Sequence, residues 1–299
     1  MGAKLKNYLH LHFIVFIWGF TAVLGKLISI DALPLVWYRM LIAAAVVLIF
    51  IVIKRNSLKV SGKMLLTLFA AGVVIALHWV TFFAAIKVSN VSVALATMST
   101  GAFFTAVIEP FWYRRKMIWY EIFFGVIVIT GLYIIFKVDT RYVDGILLAL
   151  ASALLASIFS LVNGKLIEKE RPSVISFYEL LSGVVFLSVY LGFSGRFTSR
   201  FFQLSQNDLI LILVLATVCT AYAFIASVHI LRYISPYTVI LTNNLEPVYG
   251  ILLAFFILGE SEKMVPLFYL GGAIILITVI ANGILKNKRR LKKSTKEYP

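Results

Sequence analysis

Apolar runs of about 20 residues, separated by short polar connections, recur along almost the whole chain. Each is long enough to cross a hydrocarbon core of about 30 Å as a helix. The pattern predicts spans at residues 8–28, 34–53, 64–86, 91–112, 118–136, 145–165, 173–193, 208–231, 237–258 and 265–285. Only the connections at 54–63, 137–144 and 195–207 are longer than a few residues, and none can hold a folded module. Whatever the protein does must happen within or across the bilayer.

The second five spans can be laid over the first five. Gly25-Lys26-Leu27 recurs as Gly164-Lys165-Leu166, Val88-Ser89 recurs as Ile234-Ser235, and Gly125 falls on Gly271. The register shifts within residues 194–207, where added residues sit outside lipid. An odd number of helices per repeat sends the two copies into the membrane from opposite sides, the plan of many secondary transporters. The expected fold class is an all-α membrane protein: ten transmembrane helices as two inverted five-helix repeats around a central cavity. Residues 1–138 would form the first repeat, 139–285 the second, and 286–299 a basic cytoplasmic tail, disordered and lying on anionic headgroups.

Composition sharpens this picture. With 61% hydrophobic and 14% charged residues, the chain carries far fewer charges than the quarter or so usual in soluble domains. The net charge of +15 does not point to nucleic acid, because the basic residues lie in the short connections. Clusters such as Lys54, Arg55, Lys59 and Lys63 share one side with Arg114, Arg115 and Lys116 and with the tail, whereas the other side carries fewer, among them Lys87 and Lys263. Both termini are expected to be cytoplasmic, in an inner (plasma) membrane. The N-terminal run lacks a small-x-small cleavage site and reads as the first transmembrane helix. Cys219 is the only cysteine, which excludes an intrachain disulfide and a thiolate metal cluster. No phosphate-binding loop, zinc helix or nucleophile elbow appears, so no enzyme activity, cofactor or metal is expected. A carbonyl filter of the ion-channel kind is also missing.

Ionisable groups within lipid are costly and therefore mark candidate sites. Glu246 lies close to the midplane of its span, and Pro247 would free the carbonyl of Asn243. Asn243, Glu246 and Gly250 then share a face able to hold an ammonium, a proton or a cation; the competing reading is a neutral, buried acid at a kink. Pro247, Gly101 and Gly250 are the candidate kink or hinge positions. Glu109-Pro110 resembles Glu246-Pro247 but lies near a cytoplasmic helix end, where an ion pair is expected. Arg39 falls in the outer third of the second span and Glu179 in the inner third of the seventh, as polar groups on either side of the cavity or as snorkelling side chains. Lys26 and Lys165 read as headgroup anchors. His78, Trp79 and Phe82 would form the opposite wall, with Trp18 and Tyr249 contributing aromatic surface. Stripes of small and polar residues (Ser92/Ala96/Ser99, Thr67/Ala71/His78, Ser152/Ala156/Ser160/Asn163) suit close helix packing or the lining of a passage.

These features together resemble the EamA-type members of the drug/metabolite transporter superfamily. The likeness rests on the ten-span plan, on Trp18-Gly19 leading to Gly25-Lys26, and on Tyr38-Arg39 with Ala43-Ala44-Ala45 behind it. It rests also on Glu246-Pro247-Val248 followed by Gly259-Glu260. The chain departs from the family pattern where Gly101 replaces a proline and Tyr113-Arg114 replaces a Gly-Glu pair. The resemblance implies a secondary transporter moving small organic metabolites, such as amino acids, by alternating access, with export as the preferred direction. A broad-specificity multidrug/proton antiporter and a non-transporting membrane scaffold are the alternatives. The expected partners are a small-molecule substrate and the lipid bilayer, with protons as a candidate second cargo. No nucleic acid is expected, and oligomeric state is left open.

Overall fold

The computed structural model describes residues 3–114, 119–138, 140–230, 233, 242–243 and 245–297. The opening of the ninth span, Ile234-Ser235, Arg232, Arg115 and Lys116 lie outside the described residues. Every described segment of regular structure is helical. In chain order these are α1 (Ala3–Leu27), α2 (Ala32–Ile53), α3 (Gly62–Val88), α4 (Val91–Met98), α5 (Gly101–Trp112), α6 (Trp119–Val138), α7 (Val143–Leu166) and α8 (Pro172–Phe193). There follow α9 (Gln206–Ala216), a π-helical turn (Thr217–Tyr222), α10 (Ala223–Ile230), α11 (Glu246–Leu258) and α12 (Pro266–Glu297). Among the described residues, seven helical stretches are long and apolar enough to cross a membrane, and 123–135 and 266–282 are shorter apolar helices.

A bilayer offers no hydrogen bonds, so helices satisfy the backbone and the side chains must cap what helices leave open. Ser61 accepts from the Met64 N–H at 3.2 Å, and Ser205 accepts from the Asp208 N–H at 3.0 Å. Each thereby caps the start of a span. Lys26 and Lys87 exchange roles at the other helix ends. Lys26 Nζ donates to the carbonyls of Ile86 (3.4 Å) and Ser89 (3.2 Å) at the end of α3, while Lys87 donates to the Ile28 carbonyl beyond α1. A cation at a helix C-terminus is favourable, so Lys26 acts as a cap rather than the headgroup anchor expected. Lys165 stays exposed but likewise caps a helix end, donating to the Trp112 carbonyl of α5 at 3.3 Å over the Trp112 ring.

Close helix contact depends on glycine. A Cβ on Gly72 of α3 would lie 2.5 Å from the Glu179 carbonyl oxygen of α8, and one on Gly183 would meet Met40. The α6/α12 pair is reciprocal: Gly131 faces Ile275 and the Gly271 carbonyl, while Gly271 faces Ile135 and the Gly131 carbonyl. Gly131 is thus the glycine that meets Gly271 across this pair, while Gly125 lies against Phe103. Helix α1 packs along α11, α3 along α7 and α8, α2 along α8 and α9, and α4 and α5 along α7. The main core sits among these helices.

Two spans read as continuous are broken. Between α4 and α5 the Thr100 N–H and hydroxyl both bond the Thr97 carbonyl, at 3.0 and 2.7 Å, just before Gly101. Hydroxyls that bond the backbone locally compete with the helix ladder, and Gly101 follows them. In the ninth span the Leu245 N–H bonds the Thr242 carbonyl at 2.9 Å, and α11 begins afresh at Glu246 with Pro247 in its first turn. Pro247 therefore sits in the first turn of α11, where its missing N–H costs nothing, with Thr242 and Asn243 just before it also helical. At the chain's end, α12 continues to Glu297 where a disordered tail was expected.

Substituting Gly72→Ala forces backbone apart and should cost about 1–3 kcal/mol. Gly192→Ala, with nothing within 4 Å of its Cβ, should be neutral or slightly stabilising. Thermal unfolding of both variants in detergent checks this, and equal midpoints would contradict the packing described.

Candidate functional site

Arg39 is a buried cation within the second span. Its side chain is 3% exposed, far below what an unpaired guanidinium tolerates. Three contacts hold it. Nε donates to Thr220 Oγ1 at 2.8 Å, and the guanidinium carbon sits 3.9 Å from the Trp79 ring centroid and 5.5 Å from that of Phe83. The π-helical turn explains the first contact. Its wide turn lets the Thr220 hydroxyl donate to the Leu215 carbonyl five residues back, at 2.8 Å, which leaves an oxygen lone pair for Arg39. Such turns recur at functional sites. Cation–π contact with Trp79 offsets part of the lost hydration.

One end of the guanidinium is not used. Arg39 Nη1 is buried and has no hydrogen-bond partner. Glu246 lies within electrostatic reach of Arg39, as does Cys219, whose thiol is beside Thr21. Asn243 adds a second unpartnered group, its buried Oδ1. Glu246, Asn243, Trp18 and Tyr249 are all only partly buried although they belong to spans 1 and 9 at the helix crossing. That crossing is tight, with Gly19 against the Gly250 backbone.

His78 lies on the far side of Trp79. Its Nδ1 donates to the Ser152 carbonyl at 3.0 Å, and Ser152 Oγ donates to the His78 carbonyl at 2.9 Å. This assignment leaves Nε2 without a partner among the described residues. The ring stacks on Phe82 at 6.3 Å between centroids, and Phe82 is 6% exposed. His78 also feels the charge of Arg39. Arg39, Trp79, Phe82 and His78 therefore form one neighbourhood in which α2, α3 and the π turn meet, with Glu246 of α11 acting on Arg39 through its charge.

Two expected residues lie elsewhere. Glu179 takes the Asn163 Nδ2 amide at 2.8 Å and packs against Gly72, so it and Arg39 belong to separate polar centres. Tyr249 directs its hydroxyl back along α1 to His12 Nδ1, 3.0 Å away, as Tyr222 does to His10 Nε2 at 2.8 Å. Of the third stripe, Ser152 meets His78 and Asn163 meets Glu179, whereas Ser160 is exposed and bonds its own helix. A groove of about 510 Å³ also lies away from Arg39, lined by Ser92, Ile251, Leu252, Phe255, Glu262, Lys263, Met264 and Tyr269. Sequence reading missed Thr220, Thr21 and Ser152 as partners, since a hydroxyl in an apolar helix carries no signal of what it faces. The Thr-Val-Cys-Thr run at 217–220 was the available hint. Among the described residues no group of three or more metal-binding side chains occurs.

The EamA-like transporter family model matches residues 6–137 and again 143–283, and the chain belongs to that family. It is a multi-pass membrane transporter, not an enzyme, and works on a small-molecule substrate across a lipid bilayer. Among relatives, it is 25% identical over 276 residues to an uncharacterized transporter of Clostridium kluyveri, covering 87% of this chain and 88% of that one. A second, from Archaeoglobus fulgidus, is 24% identical over 267 residues, covering 86% and 90%. A crystal structure at 14% identity superposes with a TM-score of 0.64 over 93% of this chain and 98% of the other, a likeness of fold alone.

Replacing Ser152 with Ala removes a hydroxyl that serves both His78 and its carbonyl, and should destabilise the protein by about 1–2 kcal/mol. Ser160→Ala should change stability by less than about 0.5 kcal/mol. A comparison of denaturation midpoints distinguishes the two, and equal effects would show that the His78 contact is not structural.

Proposed function

We propose that this transporter is a secondary carrier that exports small zwitterionic metabolites, amino acids or close relatives, by alternating access. The observation that carries this reading is the buried Arg39 with an unpartnered Nη1 and Glu246 within electrostatic reach. A solute carboxylate on Arg39 and a solute ammonium on Glu246 and the Asn243 Oδ1 would satisfy all three groups at once. A buried charge left unpaired is expensive, so a solute bearing both charges gains most from the site. Trp79, Phe82, Trp18 and the free His78 nitrogen offer the surface for its organic part. A multidrug antiporter for hydrophobic cations fits less well, because Arg39 repels them.

Alternating access follows from an inverted-repeat architecture, which several features support. The family model matches twice in tandem. Tyr38 donates to the Phe201 carbonyl at 3.1 Å beyond span 7, and Tyr178 donates to the Leu58 carbonyl at 2.7 Å beyond span 2. The pairing of α3 with α8 answers that of α9 with α2, and the pairing of α1 with α11 answers that of α7 with α4 and α5. The breaks after Thr97 and Thr242 fall at matching places in the fourth and ninth spans. In this reading ten helices cross, both termini are cytoplasmic in an inner membrane, and the end holding Asp31, Asn90 and Glu262 faces outward. Residues 1–138 and 139–285 are the repeats, with Gly101, Pro247 and Gly250 at the moving joints. Protons are the proposed counter-ion, and the basic stretch 286–299 is cytoplasmic.

Counterflow of labelled solutes by protein reconstituted in liposomes tests the reading. Zwitterionic amino acids should exchange, while their decarboxylated amines and their N-acylated acids should not. Arg39→Lys, which cannot reproduce the planar stack, should lower exchange at least about tenfold. Glu246→Gln should abolish any dependence of flux on the pH gradient. Exchange of amines as readily as amino acids would refute the charge pattern.

A further inference from the structure

At the end of the bundle that holds Asp31 and Asn90, two buried carboxylates cross from the second half of the chain to the first. Asp208, 2% exposed at the start of α9, accepts three hydrogen bonds. The Ser29 N–H reaches Oδ1 at 2.6 Å, the Ser29 hydroxyl reaches Oδ2 at 2.6 Å, and Ser205 Oγ reaches Oδ2 at 2.8 Å. Ser29 lies in the connection between α1 and α2. Glu262, 1% exposed in the 3₁₀ turn Gly259–Glu262 between α11 and α12, accepts from the Val91 N–H at 3.1 Å and the Ser92 N–H at 2.8 Å. Those two donors open α4, the first half of the broken fourth span.

The two contacts are built alike. Each is an anion on one half of the chain accepting at least two donors from the other half, and each joins a connection to the first turn of a span. Carboxylate–amide bonds of this kind are about twice as strong as neutral ones. Both are shielded from water, and both hold segments that would part if the halves swung open at this end. The charge of Lys87 acts on Asp208, and Lys87 is itself engaged at the Ile28 carbonyl. Asp31 lies nearby but is exposed and acts on Lys87 instead.

We propose that Asp208 and Glu262 are the paired lock that closes the outer mouth of the carrier, and that both must release for the Arg39 site to open to that side. The inference rests on the alternating-access reading for its purpose, but the lock itself can be tested without any transported solute. Cys219, the chain's only cysteine, is 1% exposed beside Arg39 and serves as a native reporter.

The test measures how fast a small membrane-impermeant thiol reagent, added from the outer side, modifies Cys219 in right-side-out vesicles. Asp208→Asn and Glu262→Gln each lose acceptor capacity and should label about tenfold faster than wild type. The double variant should be faster still, and Asp31→Asn should match wild type. Ser29→Ala, which removes one donor with little risk to folding, should accelerate labelling in the same direction. Unchanged rates in Ser29→Ala and in both carboxylate variants, with unfolding midpoints near wild type, would overturn the lock. Faster labelling in a protein that shows no counterflow with any solute would keep the lock and refute the carrier reading instead.

Discussion

A guanidinium has been taken out of water and placed inside a lipid-embedded helical bundle, and the centre of this molecule is arranged around that expense. Arg39 needs a hydrogen-bond acceptor, a polarisable surface and a counter-charge, and three different spans supply them. Thr220 provides the acceptor because a π turn frees its oxygen. Trp79 provides the surface, and Glu246 the opposing charge at the start of a restarted helix. Nη1 of Arg39 and Oδ1 of Asn243 remain buried without a hydrogen-bond partner, and in the proposed function a bound solute satisfies both.

The rest of the fold can be understood as keeping that centre dry and movable. Glycine contacts at Gly72 and Gly131 bring backbones together without large side chains, which suits helices that gain little from the hydrophobic effect in lipid. Lysines cap one another's helices at one end, and carboxylates bridge the halves there. The break before Gly101 divides the fourth span into two short half-helices, and α11 of the ninth span begins at Glu246; half-helices of this kind are the construction associated with substrate sites at the midplane. Helix α4 touches both features, with its first turn held by Glu262 and its last residues ending at the break.

The membrane class and most helix positions were legible in the sequence, because a 20-residue apolar run has one physical interpretation in a 30 Å slab. The ionisable residues were legible too, since charges stand out against an apolar background. Their partners were not. Nothing in the composition places Ser152 beside His78 or Thr220 beside Arg39, because those pairings depend on helix rotation and crossing. Pro247 stands out in the sequence, and the structure puts it in the first turn of α11, just after the turn at Leu245. Lys26 and Lys165 look like interfacial anchors in one dimension and prove to be caps in three. That Gly131 meets Gly271 across the α6/α12 pair was not legible either, because spacing does not say which face of a helix packs on its neighbour.

The central claim is that Arg39 and Glu246 act on each other across the bundle. A double-mutant cycle with Arg39→Met, Glu246→Gln and the pair, read by thermal unfolding without ligand, tests it most directly. The account predicts a coupling of about 0.5–3 kcal/mol, with the double variant less destabilised than the sum of the singles, because each single leaves one buried charge without its counterpart. Additive effects within about 0.3 kcal/mol would contradict it.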